Sequence, residues 1–281
     1  MLKNSPQDLF SIAQGLAERR DLGDTATWHI GDRGPKILMI HGFRGDHHGL
    51  IGLAGALPEA QFIIPDLPGF GKTKPLAGRH DLAGYSQWLR ALVSQIGPID
   101  ALLGHSFGSL VVSRAIDDGL DVPRLILQNP ITTRAADVSS LANRVADFYY
   151  RAGAKDGSNL LRSQAAVRLM SIGLTKTKSP VVRGFIHRQH SNYFSTFAEN
   201  RVVLEAYQAA RTGSVLDHCQ SLPQRLLIIA GQNDLVAPLA GQQKLAELTA
   251  GDLRVIKSVG HLTHYERVWE VAELVTEFME Q

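Results

Sequence analysis

The 281-residue chain has a single cysteine, Cys219, so no disulfide can form within it. This excludes the disulfide frameworks that hold many small secreted domains together. Long hydrophobic runs are missing too, since no stretch approaches the ~18 consecutive apolar residues of a membrane-spanning helix. The first residues lack the apolar segment and the small-residue cleavage site of a signal peptide. We therefore expect a cytoplasmic protein with no membrane span.

An excess of charge of one sign is also lacking. Lys and Arg total 29, and Asp and Glu total 27, which gives a net charge of +2. A nucleic-acid-binding domain usually shows a basic stripe or a known reader motif. The chain has no such motif, so we predict no nucleic-acid partner. No motif indicates a metal or an organic cofactor either.

Short apolar runs alternate with segments of helical periodicity along the chain. Each run is apolar throughout, as in strands that are buried on both faces of a parallel sheet. Strand, helix, strand repetition predicts right-handed βαβ units, and so an α/β protein with a doubly wound, mostly parallel sheet. Residues 5–20 are predicted to form an amphipathic helix before it. The runs are 37–40, 62–64, 101–103, 125–127, 226–230 and 253–256.

One interval, residues 131–222, has helical patterns but no strand run. We predict a helical cap inserted between two sheet strands, so that residues 1–130 and 223–281 form the core. The cap has twelve basic and six acidic residues, a net charge of +6, against −4 for the rest. This excess either steers an anionic substrate or forms a solvated basic face, and the second interpretation is favoured.

A Gly-x-Ser-x-Gly pentapeptide, Gly104 to Gly108, follows one of the apolar runs. The pentapeptide alone is a weak signal. However, a strand before it and a helical pattern after it form the strand–turn–helix that holds a nucleophilic serine. The glycines allow the tight turn. Ser106 is therefore expected at the carboxyl end of the sheet, where open α/β sheets bind ligands.

With this motif the chain resembles the α/β-hydrolase fold superfamily, and within it the serine hydrolases that carry a cap. The resemblance covers residues 25–130 and 223–281, whereas the cap matches only by position and length. It implies that Ser106 is the nucleophile. It implies no metal or organic cofactor.

The segment His41-Gly42-Phe43 is similar to the oxyanion loop of capped members of that superfamily. The similarity implies that the backbone amides of Phe43 and Phe107 are the oxyanion donors. Arg44 would replace Phe43 if the loop were longer. Phe43 and His105 are also expected to contact the substrate.

The acid and the base of the triad follow the serine in that order in this fold. Asp234 comes after the apolar run 226–230, in a loop similar to the family's acid loop. His261 follows Gly260 after the last predicted strand, where the family places the base. We predict that His261 takes the proton of Ser106 and that Asp234 orients His261.

Other side chains compete for these two roles. His264 is an alternative base, but it lacks the preceding glycine and is expected to start the last helix. Asp217 and Asp252 are weaker candidates for the acid because neither follows a predicted strand.

Asp46, His47 and His48 raise the question of a metal site. Asp46 would be a good N-cap for a helix that begins there. Adjacent histidines on a helix point in different directions and would not bind one ion, so we expect no metal.

The predicted function is hydrolysis of a carboxylic ester or a related small acyl substrate, anionic if the basic cap faces the site. The alternative is a C–C bond hydrolase or a cofactorless lyase that acts on a carboxylated substrate. An arginine facing Ser106 from the cap would favour this alternative, whereas a closed apolar cavity would favour acyl esters. A ligand receptor on a hydrolase scaffold is the non-enzymatic alternative, which has no need of three triad residues. The sequence specifies no oligomeric state.

Overall fold

The computed structural model describes residues 4–155 and 158–281. Strands within these ranges form one eight-stranded sheet with the spatial order β1-β2-β4-β3-β5-β6-β7-β8. The predicted α/β class with a mostly parallel sheet is confirmed. The strands are β1 (Glu18–Leu22), β2 (Thr25–Ile30), β3 (Lys36–Ile40), β4 (Gln61–Pro65), β5 (Ala101–His105), β6 (Leu125–Gln128), β7 (Leu226–Gly231) and β8 (Asp252–Ile256).

Strands β3 to β8 pair in parallel, whereas β1 and β2 form an antiparallel hairpin that joins the sheet through β4. The hairpin corrects the prediction of a helix over residues 5–20. The helix ends at Leu16, and β1 begins two residues later. Strand β1 lies at the sheet edge with mostly exposed polar residues, so it leaves no apolar run in the sequence.

Helices cover both faces of the sheet. In β3 the side chains alternate between two cores, because successive residues of a strand point to opposite faces. Ile37 and Met39 join the core formed with α1, α2 and α11, and Leu38 and Ile40 join the core formed with α3 and α4. The α-helices are α1 (Pro6–Leu16), α2 (His48–Gly55), α3 (Leu82–Ile96), α4 (Phe107–Asp117), α5 (Leu141–Gly153), α6 (Gln164–Leu174), α7 (Pro180–Tyr193), α8 (Asn200–Thr212), α9 (Leu239–Thr249), α10 (Thr263–Glu266) and α11 (Val268–Glu280).

The described segments between β6 and β7 are helices and connecting loops, in agreement with the helical pattern of residues 131–222. We call this interval the cap, and its boundaries stay a prediction. The helices of this interval are interrupted between residues 194 and 199, since α7 ends at Tyr193 and α8 begins at Asn200. The interruption has a physical cause: Thr196 accepts a hydrogen bond from Gly71, and Ala198 donates one to Gly69. This short segment therefore attaches the cap to the loop after β4.

None of the helices in the described ranges is both long enough and apolar enough to cross a membrane.

Candidate active site

Ser106 lies at a strained turn between β5 and α4. Its φ is 53° and its ψ is −118°, a region that residues other than glycine rarely adopt. A Cβ atom on Gly108 would lie 2.2 Å from the carbonyl oxygen of Ile40, and one on Gly104 would lie 2.8 Å from that of Gly108. Both glycines are therefore needed for the tight packing that holds the turn. Ser106 lines a cavity at the carboxyl edge of the sheet.

Ser106, His261 and Asp234 form a chain of hydrogen bonds. Nε2 of His261 lies 2.7 Å from Oγ of Ser106, and Nδ1 of His261 lies 2.8 Å from Oδ2 of Asp234. Because a carboxylate only accepts, Nδ1 carries the proton, and Nε2 is free to accept from the serine hydroxyl. All three residues are buried. The structure thus brings together the nucleophile, base and acid named from the sequence.

The carboxylate of Asp234 accepts four N–H donors. The backbone amides of Val236 and Ala237 donate to Oδ1 at 2.8 and 2.9 Å, and Nδ2 of Asn129 donates to Oδ2 at 2.9 Å beside His261. Burial acts to raise the pKa of Asp234. The nearby His261 and the two backbone amides outweigh it, so the pKa lies below its ordinary value. Asp234 is therefore ionised at neutral pH.

Asn129 was not identified from the sequence. It directly follows β6, is fully buried and has a φ of 48°. Its Nδ2 also lies 3.3 Å from the carbonyl oxygen of Gly260, and its Oδ1 accepts from the Thr263 hydroxyl at 2.7 Å. It therefore connects the loop of Asp234 with the loop of the base. A signal was present, because a side-chain amide directly after a strand lies at the edge where these sheets bind ligands.

The loop after β3 passes close to the serine. A Cβ atom on Gly42 would lie 3.2 Å from Cβ of Ser106. His41 holds this loop: its Nε2 accepts from the amide of Leu67, so its Nδ1–H donates to the carbonyl of Gly42, both at 2.9 Å. Burial lowers the pKa of His41, so the ring stays neutral. On the other side of the serine, Phe107 is the first residue of α4, and its N–H has no acceptor within the helix.

Phe43 lines the cavity, whereas Arg44 extends into the cap. Nε of Arg44 donates to the carbonyl of Phe194 at 3.2 Å, and Nη1 donates to the hydroxyl of Tyr149 at 3.3 Å. Nη2 donates to the carbonyl of Leu161. Arg44 is 1% exposed, so these bonds satisfy a cation that is removed from water. Its side chain attaches the cap to the loop that holds Phe43.

A cavity of about 380 Å³ opens in front of Ser106. Its wall is largely aromatic and aliphatic, with residues from both the core and the cap, including Phe43, Tyr150, Leu174 and Phe194. This volume is in the range of small-molecule sites, which are mostly apolar with a few placed polar groups.

Arg211, at the end of α8, is the only Lys or Arg among the described residues that line this cavity. Its Nε lies 3.7 Å from Oδ1 of Asp147 and has no hydrogen-bond partner in the described ranges. The side chains of Tyr207 and Arg211 form a hydrogen bond. The guanidinium therefore places a positive charge on a largely apolar wall, which the acidic residue Asp46 also lines.

His105 and His190 are two further histidines on the cavity wall. Nε2–H of His105 donates to the carbonyl of His261 at 3.3 Å. Burial, and secondarily the neighbouring His261, lowers the pKa of His105 to about 3. Burial, and secondarily His187, lowers the pKa of His190 to about 3. Both rings are therefore neutral at physiological pH and present uncharged polar groups to the site.

The competing base and acids occupy other positions. His264 lies in the short helix α10, where its ring contacts that of His105 at a centroid distance of 4.4 Å. Burial holds its pKa well below the ordinary value. Asp217 accepts a hydrogen bond from Arg134, and Asp252 accepts one from Arg254. The described hydrogen bonds of His261 involve none of these three residues.

Asp46, His47 and His48 lie closer together than expected. The two imidazole rings are 3.8 Å apart, and one ligand atom from each of the three residues lies within 4.8 Å of the others. The expectation that the rings point apart is wrong, since His47 has a helical backbone as the N-cap of α2 and its ring nevertheless lies against that of His48. Nδ1 of His47 bonds Asp66 and Nδ1 of His48 bonds Asp46, each at 2.9 Å. The first of these bonds attaches the start of α2 to the loop after β4, and the second is local to the start of the helix.

The fold and the serine turn are those of a hydrolase, and the comparison with known proteins agrees. Residues 37–273 match the alpha/beta hydrolase family, and the chain belongs to it. The 2-hydroxymuconate semialdehyde hydrolase of Pseudomonas putida is 28% identical over 98% of this chain and 97% of that protein. The pimeloyl-[acyl-carrier protein] methyl ester esterase of Shewanella oneidensis is 34% identical, but the alignment covers 31% of this chain and 31% of that protein.

Among solved structures, an esterase from Exiguobacterium antarcticum superposes with a TM-score of 0.76. The superposition covers 92% of this chain and 96% of that one at 18% sequence identity, which shows a shared fold. Membership of the family therefore shows that the chain is a hydrolase. The names of its relatives indicate different substrates, a methyl ester in one and a semialdehyde in another.

Proposed function

We propose that this chain hydrolyses a carboxylic ester or a related small acyl substrate through an acyl-enzyme on Ser106. The observation that carries the proposal is the unbroken chain of hydrogen bonds from Ser106 Oγ through His261 to Asp234, at 2.7 and 2.8 Å, on the wall of the cavity.

The proposed reaction begins when Oγ of Ser106 attacks the substrate carbonyl carbon while Nε2 of His261 takes the hydroxyl proton. The tetrahedral intermediate collapses, and His261 returns that proton to the oxygen of the departing alcohol. Water then attacks the acyl-enzyme while His261 takes a proton from it, and His261 passes this proton to Oγ of Ser106 as the bond to the acyl group breaks and the acid is released. Asp234 stabilises the imidazolium in both halves of the reaction.

The backbone amides of Phe43 and Phe107 are the proposed oxyanion donors. The close approach of Gly42 to Ser106 supports a role for the first, and the position of Phe107 at the start of α4 supports a role for the second. The side chains of Phe43 and His105 line the cavity and are proposed to contact the acyl part of the substrate.

The test is a panel of p-nitrophenyl esters of increasing acyl length, assayed with the wild type and with Ser106→Ala. We expect turnover of short and medium acyl esters, because the cavity of about 380 Å³ is lined mainly by apolar side chains. Ser106→Ala should lower kcat by at least about a thousandfold, as in other triad enzymes. Equal turnover by the two proteins would remove Ser106 from the mechanism.

A C–C bond hydrolase acting on a carboxylated substrate is the second candidate, and Arg211 is the observation that favours it. A cation on the cavity wall would bind a carboxylate by charge-assisted hydrogen bonds. The Pseudomonas putida relative is named a hydrolase of 2-hydroxymuconate semialdehyde, which is consistent with this candidate.

A further inference from the structure

The outer side of helix α5 carries large hydrophobic residues that nothing in the described ranges covers. Leu141 is 76% exposed, Val145 is 59% exposed and Phe148 is 75% exposed. The spacings of four and three residues place all three side chains on one face of the helix. We call these three residues the outer stripe. A continuous exposed apolar stripe of this kind marks an interaction surface.

The opposite side of α5 belongs to the cavity. Ala146 and Tyr150 line it, and a rotation of about 100° per residue places them roughly opposite the outer stripe. Helix α5 is thus apolar on two sides, one toward the cavity and one toward the outside. Whatever binds the outer stripe therefore lies one helix thickness from the cavity.

The charge beside the outer stripe indicates the chemistry of the partner. Arg144 is exposed next to Val145, and in the described part of the chain it forms no ion pair. Helix α6 repeats the arrangement, with Leu169 and Ile172 exposed beside an exposed Arg168. Both helices pack against the short helical turn at residues 160–162. Exposed apolar side chains flanked by arginines are typical of helices that lie in the interface of an anionic membrane.

We propose that the outer stripe docks on an anionic lipid surface, with Leu141, Val145 and Phe148 inserted among the acyl chains and Arg144 at the headgroup phosphates. The cap as a whole carries twelve basic and six acidic residues, which adds attraction to such a surface. A second copy of the chain fits less well, because a symmetric contact would place the same arginines face to face. This binding surface goes beyond the proposed chemistry at Ser106 and does not depend on it.

The test is flotation of the full chain with phosphatidylcholine vesicles, with and without phosphatidylglycerol. The wild type should float with the phosphatidylglycerol vesicles, less with phosphatidylcholine alone, and less at high salt. Leu141→Ser combined with Phe148→Ser should lower the partition coefficient about tenfold or more, because two inserted side chains are lost. Arg144→Gln should weaken binding to the anionic vesicles only.

The matched control is Leu16→Ser combined with Leu248→Ser. It removes two exposed apolar side chains, 63% and 52% exposed, from α1 and α9 of the core, and it should leave flotation unchanged. Circular dichroism and thermal melting establish that each variant is folded, whether or not an ester is hydrolysed. A wild type that stays with the soluble fraction, or a Leu141/Phe148 variant that floats equally well, would overturn the proposal. So would a concentration-dependent dimer that this variant abolishes, which would assign the outer stripe to a second copy.

Discussion

Asn129 and His261 share one oxygen of Asp234. Nδ2 of Asn129 lies 2.9 Å from Oδ2, and Nδ1 of His261 lies 2.8 Å from the same atom. The hydroxyl of Thr263 then fixes the carbonyl end of the Asn129 amide. Because the described hydrogen bonds of the Asn129 side chain reach the acid and not the serine, Asn129 acts as a positioning residue in the proposed mechanism.

Asn129→Ala should therefore lower kcat with little change in KM. It removes one donor from a buried carboxylate, a loss of roughly 1–3 kcal/mol, which corresponds to a decrease in rate of about 5- to 150-fold. Thr263→Val removes the hydroxyl that donates to Asn129 and accepts from Nε2 of Gln128, but it leaves every donor of Asp234 in place and should have a smaller effect on kcat. Steady-state kinetics on a p-nitrophenyl ester measure both. A change confined to KM would show that Asn129 contacts the substrate instead.

Arg211 distinguishes the two candidate functions. Arg211→Gln should lower kcat/KM for esters or C–C substrates that carry a free carboxylate by at least about tenfold, because a charge-assisted contact is lost. The same variant should change kcat/KM for a neutral ester of equal length by less than about twofold. Arg211→Lys keeps the positive charge but loses the planar guanidinium. Its kcat/KM for anionic substrates should therefore lie between those of the wild type and Arg211→Gln. An equal loss for neutral and anionic substrates would mean that Arg211 only supports α8.

The chain order of Ser106, Asp234 and His261, each after an apolar run, was enough to predict that these residues meet. Their roles stay predictions. Asn129 could not be assigned in the same way, because its function depends on a left-handed backbone conformation and on loops more than 100 residues away. Local periodicity contains no information about such contacts.

At the level of elements, the turn between β5 and α4 depends on Gly108. A Cβ atom there would lie 2.2 Å from the carbonyl oxygen of Ile40, in the strand next to β5. The backbone cannot give way without moving the strand or the serine.

Gly108→Ala should consequently abolish turnover and lower the free energy of unfolding by several kcal/mol. Gly15→Ala is the control, since a Cβ atom on Gly15 in α1 meets nothing within 4 Å and should be neutral or slightly stabilising. Urea denaturation and ester hydrolysis measure the two variants. Normal activity of Gly108→Ala would contradict the packing of this turn.

The buried strands of the parallel sheet were predictable because each forms an apolar run. The hairpin of β1 and β2 was not, since β1 lies at the exposed edge and reads as Glu-Arg-Arg-Asp-Leu. The cap helices were predicted as helices, but their ends were not. Residues 194–199 leave the helical pattern because their backbone bonds the core loop, a tertiary effect that overrides local propensity.

At the scale of the whole molecule, the basic residues that give the cap its excess positive charge have different partners and do not all face the cavity. Arg134 and Arg151 form salt bridges with carboxylates, and Arg162 donates hydrogen bonds to the carbonyls of Ser195 and Phe197. Of the cap arginines in the described ranges, Arg211 alone lines the cavity. The count of charges in the sequence could not separate these roles, because it carries no direction for any side chain.

Acid should destabilise the molecule through its buried histidines. Burial lowers the pKa of His105 and of His190 to about 3, and the pKa of His264 is lowered well below its usual value of 6.5. Between about pH 6.5 and pH 3 the unfolded chain binds protons that the native protein does not. The stability contributed by each neutral histidine is therefore complete above about pH 6.5 and is lost as the pH falls, by up to about 1.4 kcal/mol per unit.

Urea unfolding at about pH 7.5 and about pH 5.5 tests this linkage. The free energy of unfolding should be lower at the acidic pH. His190→Gln should make the difference between the two pH values smaller, because one of the titrating histidines is removed. A free energy that is the same at both pH values would mean that these rings titrate normally in the native state.

The central claim is that Ser106 is an activated nucleophile. Its most direct test is intact-mass analysis after exposure to a fluorophosphonate, on the wild type and on Ser106→Ala. We predict one adduct on the wild type, mapped to the peptide that holds Ser106, and none on the variant. An adduct of equal yield on Ser106→Ala, or no adduct on folded wild type at any probe size that the cavity admits, would contradict it.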